Sequence, residues 1–181
     1  LTTGSANTNT TFAGVISGSG KLIKEGSGVF SLSGTNTFSG LTRIDEGTLK
    51  ISGSGKLGNG SYSKKIQNSG TFDYASSATQ TLSGVISGSG GITASGSGAL
   101  TLTGTNTFTG AVVLTGGGNL VAGSAAALGA NAPAIASGSI SDQFSVSDGV
   151  TLASLNITGA VSFNSGITTT GTQTHTSNVL L

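Results

Sequence analysis

The sequence has no cysteine, methionine or tryptophan, and only one proline and one histidine in 181 residues. Without cysteine, neither a disulfide framework nor a thiolate metal site is available. With aromatics at 5%, and none interleaved with a basic run, the chain lacks the stacking platform that nucleic acid binding uses, and no nucleic acid partner is expected. No apolar run approaches the length of a membrane-spanning helix. No signal peptide is evident, and with no methionine the chain is expected to be an internal piece of something longer. Charge is scarce too: charged residues are 7% and the net charge is +1.

What the chain has instead is glycine, 32 residues of it, with abundant serine, threonine and asparagine. All four disfavour helix interiors. Disorder goes with low hydropathy and high net charge, whereas here the mean hydropathy is +0.21 and apolar residues recur in short alternating runs. A folded, all-β chain is expected.

The charges are unevenly placed. The basic residues Lys21, Lys24, Arg43, Lys50, Lys56, Lys64 and Lys65 all fall in the N-terminal part of the chain, against Glu25, Asp45 and Glu46, while everything after Lys65 carries only Asp73, Asp142 and Asp148. A mildly basic end of this kind favours acidic glycans or a membrane surface. The alternative, preferred because no dense basic run exists, is that these side chains are solubilising groups on strand exteriors.

Residues 14–40 and 84–110 align without gaps at 17 identities in 27 positions. Further on, "EGTLKIS" (46–52) meets "GGNLVAG" (117–123). The repeat units run over about 12–58 and 82–129, and 135–181 reads as further, diverged coils of one segment spanning 1–181. A spacing of seventy residues is too long for one solenoid coil and fits about three. Within each unit the period is two: Phe30 and Leu32 alternate with Ser31 and Ser33, and Leu100 and Leu102 with Thr101 and Thr103, as in strands with one buried face. The expectation is a parallel β-helix of about eight coils, roughly 40 Å long at the usual strand spacing. Phe30, Leu32, Leu49, Ile51, Leu100, Leu102 and Leu120 should face inward, and Lys24, Lys50, Lys64 and Lys65 outward. The recurring phrase implies that equivalent residues share one angular position. Asn36 and Asn106 are expected in a turn, where asparagine tolerates left-handed backbone and bonds neighbouring main chain. The C-terminal "SNVLL" reads as an apolar edge that a further coil covers.

At this point the motif resembles the passenger-associated, or autotransporter-associated, β-strand repeat of Gram-negative surface proteins. The elements are K-x-G-x-G (Lys24, Gly26, Gly28), L-x-G-x-N-T-[FY]-x-G (Leu32, Gly34, Asn36, Phe38, Gly40) and G-T-L-x-I (Gly47 to Ile51). The second copy keeps the turn (Leu102, Gly104, Asn106, Phe108, Gly110) but loses the lysine and has Gly118-Asn119-Leu120 in place of G-T-L. Residues 146–181 resemble the repeats of filamentous-haemagglutinin-like exoproteins. Both resemblances imply a right-handed, single-stranded parallel β-helix outside the outer membrane. They imply an outer-membrane translocator barrel as partner during export, and host-cell, glycan or self-association surfaces as partners afterwards.

Residues for chemistry are few. His175 has no acidic residue within twenty-five positions, so nothing nearby in sequence orients it as a base. Asp45 and Glu46 are adjacent, and neighbours on a strand point to opposite faces; they read as turn residues. Gly53-Ser-Gly55-Lys-Leu-Gly58 matches G-x-G-x-x-G, but no helix follows to receive a pyrophosphate. Asn9, Asn59 and Asn156 begin N-x-[ST] triplets and read as unmodified turn asparagines. No catalytic, cofactor or metal residues are expected. The function expected is a structural or adhesive rod segment of a secreted or surface-attached bacterial passenger. Its alternatives are a β-helical polysaccharide-acting enzyme and a threonine-array binder of carbohydrate or ice, the latter from Thr168, Thr170, Thr172, Thr174 and Thr176.

Overall fold

The computed structural model describes residues 1–129 and, beyond them, the backbone of eight strand segments from Ile135–Ser137 to Val179–Leu180, with side chains at 143–145. Asp142, Asp148, Asn156, the threonines of 168–176, the His175 side chain and the "SNVLL" edge fall outside the described side chains. Every strand pairing is parallel, in sheets of five, seven, nine and two strands. The three larger sheets wind about one core as the walls of a β-solenoid. The only helical piece among the described residues is a single 3-10 turn, Gly58–Gly60.

Period-two alternation generates the walls. Val29–Leu32 and Ala99–Leu102 each alternate between partly exposed and buried positions, as do Thr71–Ser76 and Gly91–Ala94. Phe30 is 7% exposed, and Leu32, Leu49, Ile51, Leu100, Leu102 and Leu120 are wholly buried. These seven positions sit where the alternation puts them.

The register sets the coil length. Thr10 lies opposite Phe30, Leu22 opposite Thr42, Ile92 opposite Val112 and Ala99 opposite Asn119, all twenty residues on. Three coils carry Phe30 through Leu49 and Phe72 to Ile92, whereas the counterpart of Phe30 in the repeat is Leu100. The repeat spacing therefore overshoots three coils by about one wall. Val29–Leu32 belongs to the nine-stranded wall, whereas Ala99–Leu102 belongs to the seven-stranded wall. Likewise Leu22–Lys24 and Thr42–Ile44 stand in the five-stranded wall, but their counterparts Gly91–Ala94 and Val112–Leu114 stand in the nine-stranded one. The expectation that equivalent residues share an angular position is corrected: the repeat places the same pair of adjacent walls one wall further round.

Lys24 is also corrected. It is wholly buried, because in Leu22–Lys24 it shares the inward phase of Leu22 while Ile23 points out. Its ammonium donates to the carbonyl oxygens of Glu25 (2.7 Å), Gly26 (2.6 Å) and Glu46 (3.2 Å), so each of its three N–H bonds has an acceptor. Of the other lysines expected outside, Lys64 and Lys65 are exposed, and Lys50 is partly exposed and pairs with Asp73 at 2.9 Å.

Candidate functional site

The recurring GTNTF phrase forms the third wall of its coil. In the first copy, residues 34–40 run alongside the start of the seven-stranded wall. Asn36 N–H donates to Lys56 O (2.8 Å) and Thr37 N–H to Ile16 O (2.9 Å). In the second copy, residues 104–110 continue the five-stranded wall beyond Ile86–Ser87, with Thr107 N–H donating to Ile86 O and Thr109 N–H to Gly88 O. Asn36 and Asn106 face inward, buried to 0% and 2% exposure. Neither has positive φ, so the left-handed turn expected for them is not formed. Their amides bridge coils instead. Asn36 Oδ1 accepts from Ile16 N–H at 2.9 Å while Nδ2 donates to Gly34 O and Lys56 O. Asn106 Oδ1 accepts from Ile86 N–H at 2.8 Å and Nδ2 donates to Ala127 O. A wall too irregular for a full ladder thus has its main chain satisfied by a side chain.

Phe38 and Phe108 fill the interior beside these asparagines. Glycine marks the corners because coils close up there. A Cβ on Gly40 would fall onto the carbonyl of Gly20, and one on Gly110 onto that of Gly90. Gly26 has φ of +67° besides, and Gly28, Gly34 and Gly104 abut carbonyls of the coil below in the same way as Gly40.

The charges sort by corner. Leu22, Thr42 and Ile66 stack, so Lys21 and Lys65, each just before its strand, fall in one column, with Lys64 beside them. At the other edge of the five-stranded wall stand Glu25, Asp45 and Glu46. Asp45 pairs with Arg43 at 2.7 Å, both partly exposed, a contact worth little in water. Burial lowers the Lys24 pKa below its usual value, and the neighbouring Glu46 charge offsets this in part.

One cleft opens on the seven-stranded wall. The coil that carries Thr42 to Ile66 is longer than the one that carries Leu22 to Thr42, and the excess includes the Gly58–Gly60 turn, where Asn59 adopts φ of 56°. Between this turn and the 37–39 segment lies a cavity of about 250 Å³ rimmed by Thr37, Ser39, Asn59, Ser61, Ser63 and Lys64. Phe38 and Tyr62 form its floor, ring centroids 5.5 Å apart at 61°. The Tyr62 hydroxyl donates to Gly40 O at 2.5 Å and lies 2.8 Å from Thr42 Oγ1. Burial raises its pKa to about 12, with the Thr42 contact acting in the opposite direction. The sequence motifs contain Phe38, Gly58 and Asn59 of its lining, but nothing in them marked a cleft.

Among the described residues no cluster of three or more His, Asp or Glu side chains is placed to hold a metal. No described helix is long and apolar enough to cross a membrane. Ser61, Thr81 and Thr101 stack outward on one wall, but Val121 follows, so that threonine column stops after two coils. Gly53-Ser-Gly55-Lys-Leu-Gly58 runs from a strand end into the 3-10 turn, not into a helix.

Such a chain is, by fold, a parallel β-solenoid in which one module of strand pairs occurs twice. Residues 22–51 and 92–121 match the family model described as the passenger-associated-transport-repeat. Each match covers two strand pairs and the GTNTF wall between them. A curated relative, the autotransporter adhesin BmaC of Brucella suis biovar 1 (strain 1330), is 43% identical over 58 residues, which is 32% of this chain and 2% of that protein. The chain thus corresponds to a small fraction of the relative's length. No solved structure matches the chain. The resemblance to an autotransporter passenger repeat therefore holds for both copies.

Proposed function

We propose that the chain is a rod segment of a surface-attached or secreted bacterial passenger, and that it projects and presents a binding region outside the outer membrane. The observation that carries this reading is that both passenger repeats are integral coils of one continuous stack, not appendages to it. Nearest-neighbour stacking with little charge and no cysteine suits a chain that crosses an outer-membrane pore unfolded and then assembles coil upon coil. A passenger-repeat match and an adhesin relative support a non-enzymatic reading. The partners would be a translocator barrel during export and a host surface afterwards.

The test is an in-register deletion in a passenger carrying this segment on a translocator. Removing 80–99, one twenty-residue coil, should leave the passenger on the cell surface, open to added protease and able to adhere. Removing 80–89 should break the stack and lose display. A segment shielded from protease on intact cells, or adhesion untouched by loss of residues 1–181, would contradict the proposal.

A further inference from the structure

The cleft above Phe38 and Tyr62 sits at the head of the basic corner, and the two features together define a ligand chemistry. Its rim offers hydroxyls and an amide that both donate and accept, Thr37, Ser39, Asn59, Ser61 and Ser63, and all five residues are exposed. Its volume, about 250 Å³, is below the roughly 300–1,000 Å³ of sites for drug-sized molecules, and suits one ring-sized group. The floor is rigid, since the two rings are locked edge to face and the Tyr62 hydroxyl is held by Gly40 and Thr42. Lys64 stands on the rim, Lys65 follows it, and Lys21 lies two coils away in the Lys65 column, roughly 9–10 Å at strand spacing. Among the described residues none of these lysines has an ion-pair partner, and no carboxylate lines the cleft.

We propose that this cleft binds one residue of an acidic polysaccharide, with Lys64 meeting its carboxylate and the neighbouring lysines meeting the charges of adjacent residues along the solenoid axis. A polyhydroxylated ring matches a rim of mixed donors and acceptors. A repeating anion matches lysines spread along the axis better than a lone phosphate does. The inference rests on the reading of the chain as an adhesive surface segment, and it names the ligand class of that surface.

The test titrates the 181-residue chain with a short oligogalacturonate, a neutral galactose oligomer of equal length, inorganic phosphate and phosphatidylserine vesicles, read by amide chemical shifts. The oligogalacturonate should move the amides of 37–39 and 59–64 and bind about tenfold more tightly than the neutral oligomer, a difference of about 1.4 kcal/mol. Lys64→Gln should weaken it about fivefold, at the upper end for an exposed ion pair, with an unchanged melting temperature, and Lys64→Arg should retain it. Equal binding of the neutral oligomer, preference for vesicles or phosphate, shifts confined to other walls, or an indifferent Lys64→Gln would each overturn the subsite. If the Lys64→Gln passenger loses oligogalacturonate yet adheres to cells as before, the subsite is not the adhesive surface and the rod reading stands. If the sugar binds but the passenger never adheres, the subsite stands and the adhesive reading falls.

Discussion

The strand pairs of the first copy stand in the five- and nine-stranded walls, and those of the second in the nine- and seven-stranded walls, with the GTNTF segment on the remaining wall in each. Both keep the inward asparagine and phenylalanine and the packed corner glycines. Only the first has a buried ammonium, Lys24, where the second has Ala94. The difference shows that the repeat encodes a corner and its two flanking walls, not a fixed bearing around the axis. Two different pairs of adjacent walls host its strand pairs, in coils of about twenty residues that close on glycine.

The largest effects should come from residues that do the same work in both copies. Phe30→Ala should cost about 3–5 kcal/mol and Leu100→Ala about 2–5 kcal/mol, read as denaturant midpoints, because each side chain is inward despite the change of wall. Next come Asn36→Ala and Asn106→Ala, expected to cost about 2–3 kcal/mol each by stranding a buried N–H and the carbonyls it bridged. A large gap between these two variants would show that the two corners are not built alike.

The copies should part company in their pH response. The Lys24 pKa is lowered by burial, so between that lowered value and the ordinary 10.5 the unfolded chain binds more protons, and stability should rise with pH. Lys24→Met should remove that rise and cost about 1–2 kcal/mol for the carbonyls left without a donor. Tyr62 runs the other way. Its pKa is raised to about 12, so the folded state keeps a proton that the unfolded state sheds above pH 10, and stability should fall between pH 10 and 12 by about 2 kcal/mol. Tyr62→Phe should flatten much of that fall. Tyr74, whose pKa burial also raises, should leave a remainder of the same sign. The smallest effect belongs to the outward position Ser31, where Ser31→Ala should stay within about half a kcal/mol.

Alternation made the core legible: Phe30 and Leu32, or Leu100 and Leu102, declare their phase within a single short strand. The same rule puts Lys24 inside with Leu22, but its charge argues for the surface, and only three converging carbonyls make an inward lysine tolerable. Asn36 was legible as a recurring residue and not as an inward one, because an amide can serve a turn or a wall and the sequence pattern is the same for both. The bearing of the second copy was hidden because Ile92, which truly lies three coils from Phe30, and Leu100, its counterpart in the repeat, are both three coils away by count until the register is known. The cleft as such was not legible, although Phe38, Gly58 and Asn59 of its lining stand in motifs. It depends on a few extra residues around Gly58–Gly60, and insertions have no periodic signature.

The central claim, a twenty-residue coil that turns the second copy by one wall, meets its most direct test in disulfide trapping, which a chain without cysteine allows cleanly. Thr81 lies opposite Thr101 on adjacent strands, about 4.8 Å away and within disulfide reach. If the repeat spacing were three whole coils, Thr101 would instead lie over Ala78, a third of that spacing back. In the structure Ala78 packs under Gly98, three positions and about 10 Å along the strand from Thr101. The chain with Thr81→Cys and Thr101→Cys should oxidise to an intramolecular disulfide while folded, and the chain with Ala78→Cys and Thr101→Cys should not. Efficient closure of the second pair with failure of the first would contradict the account.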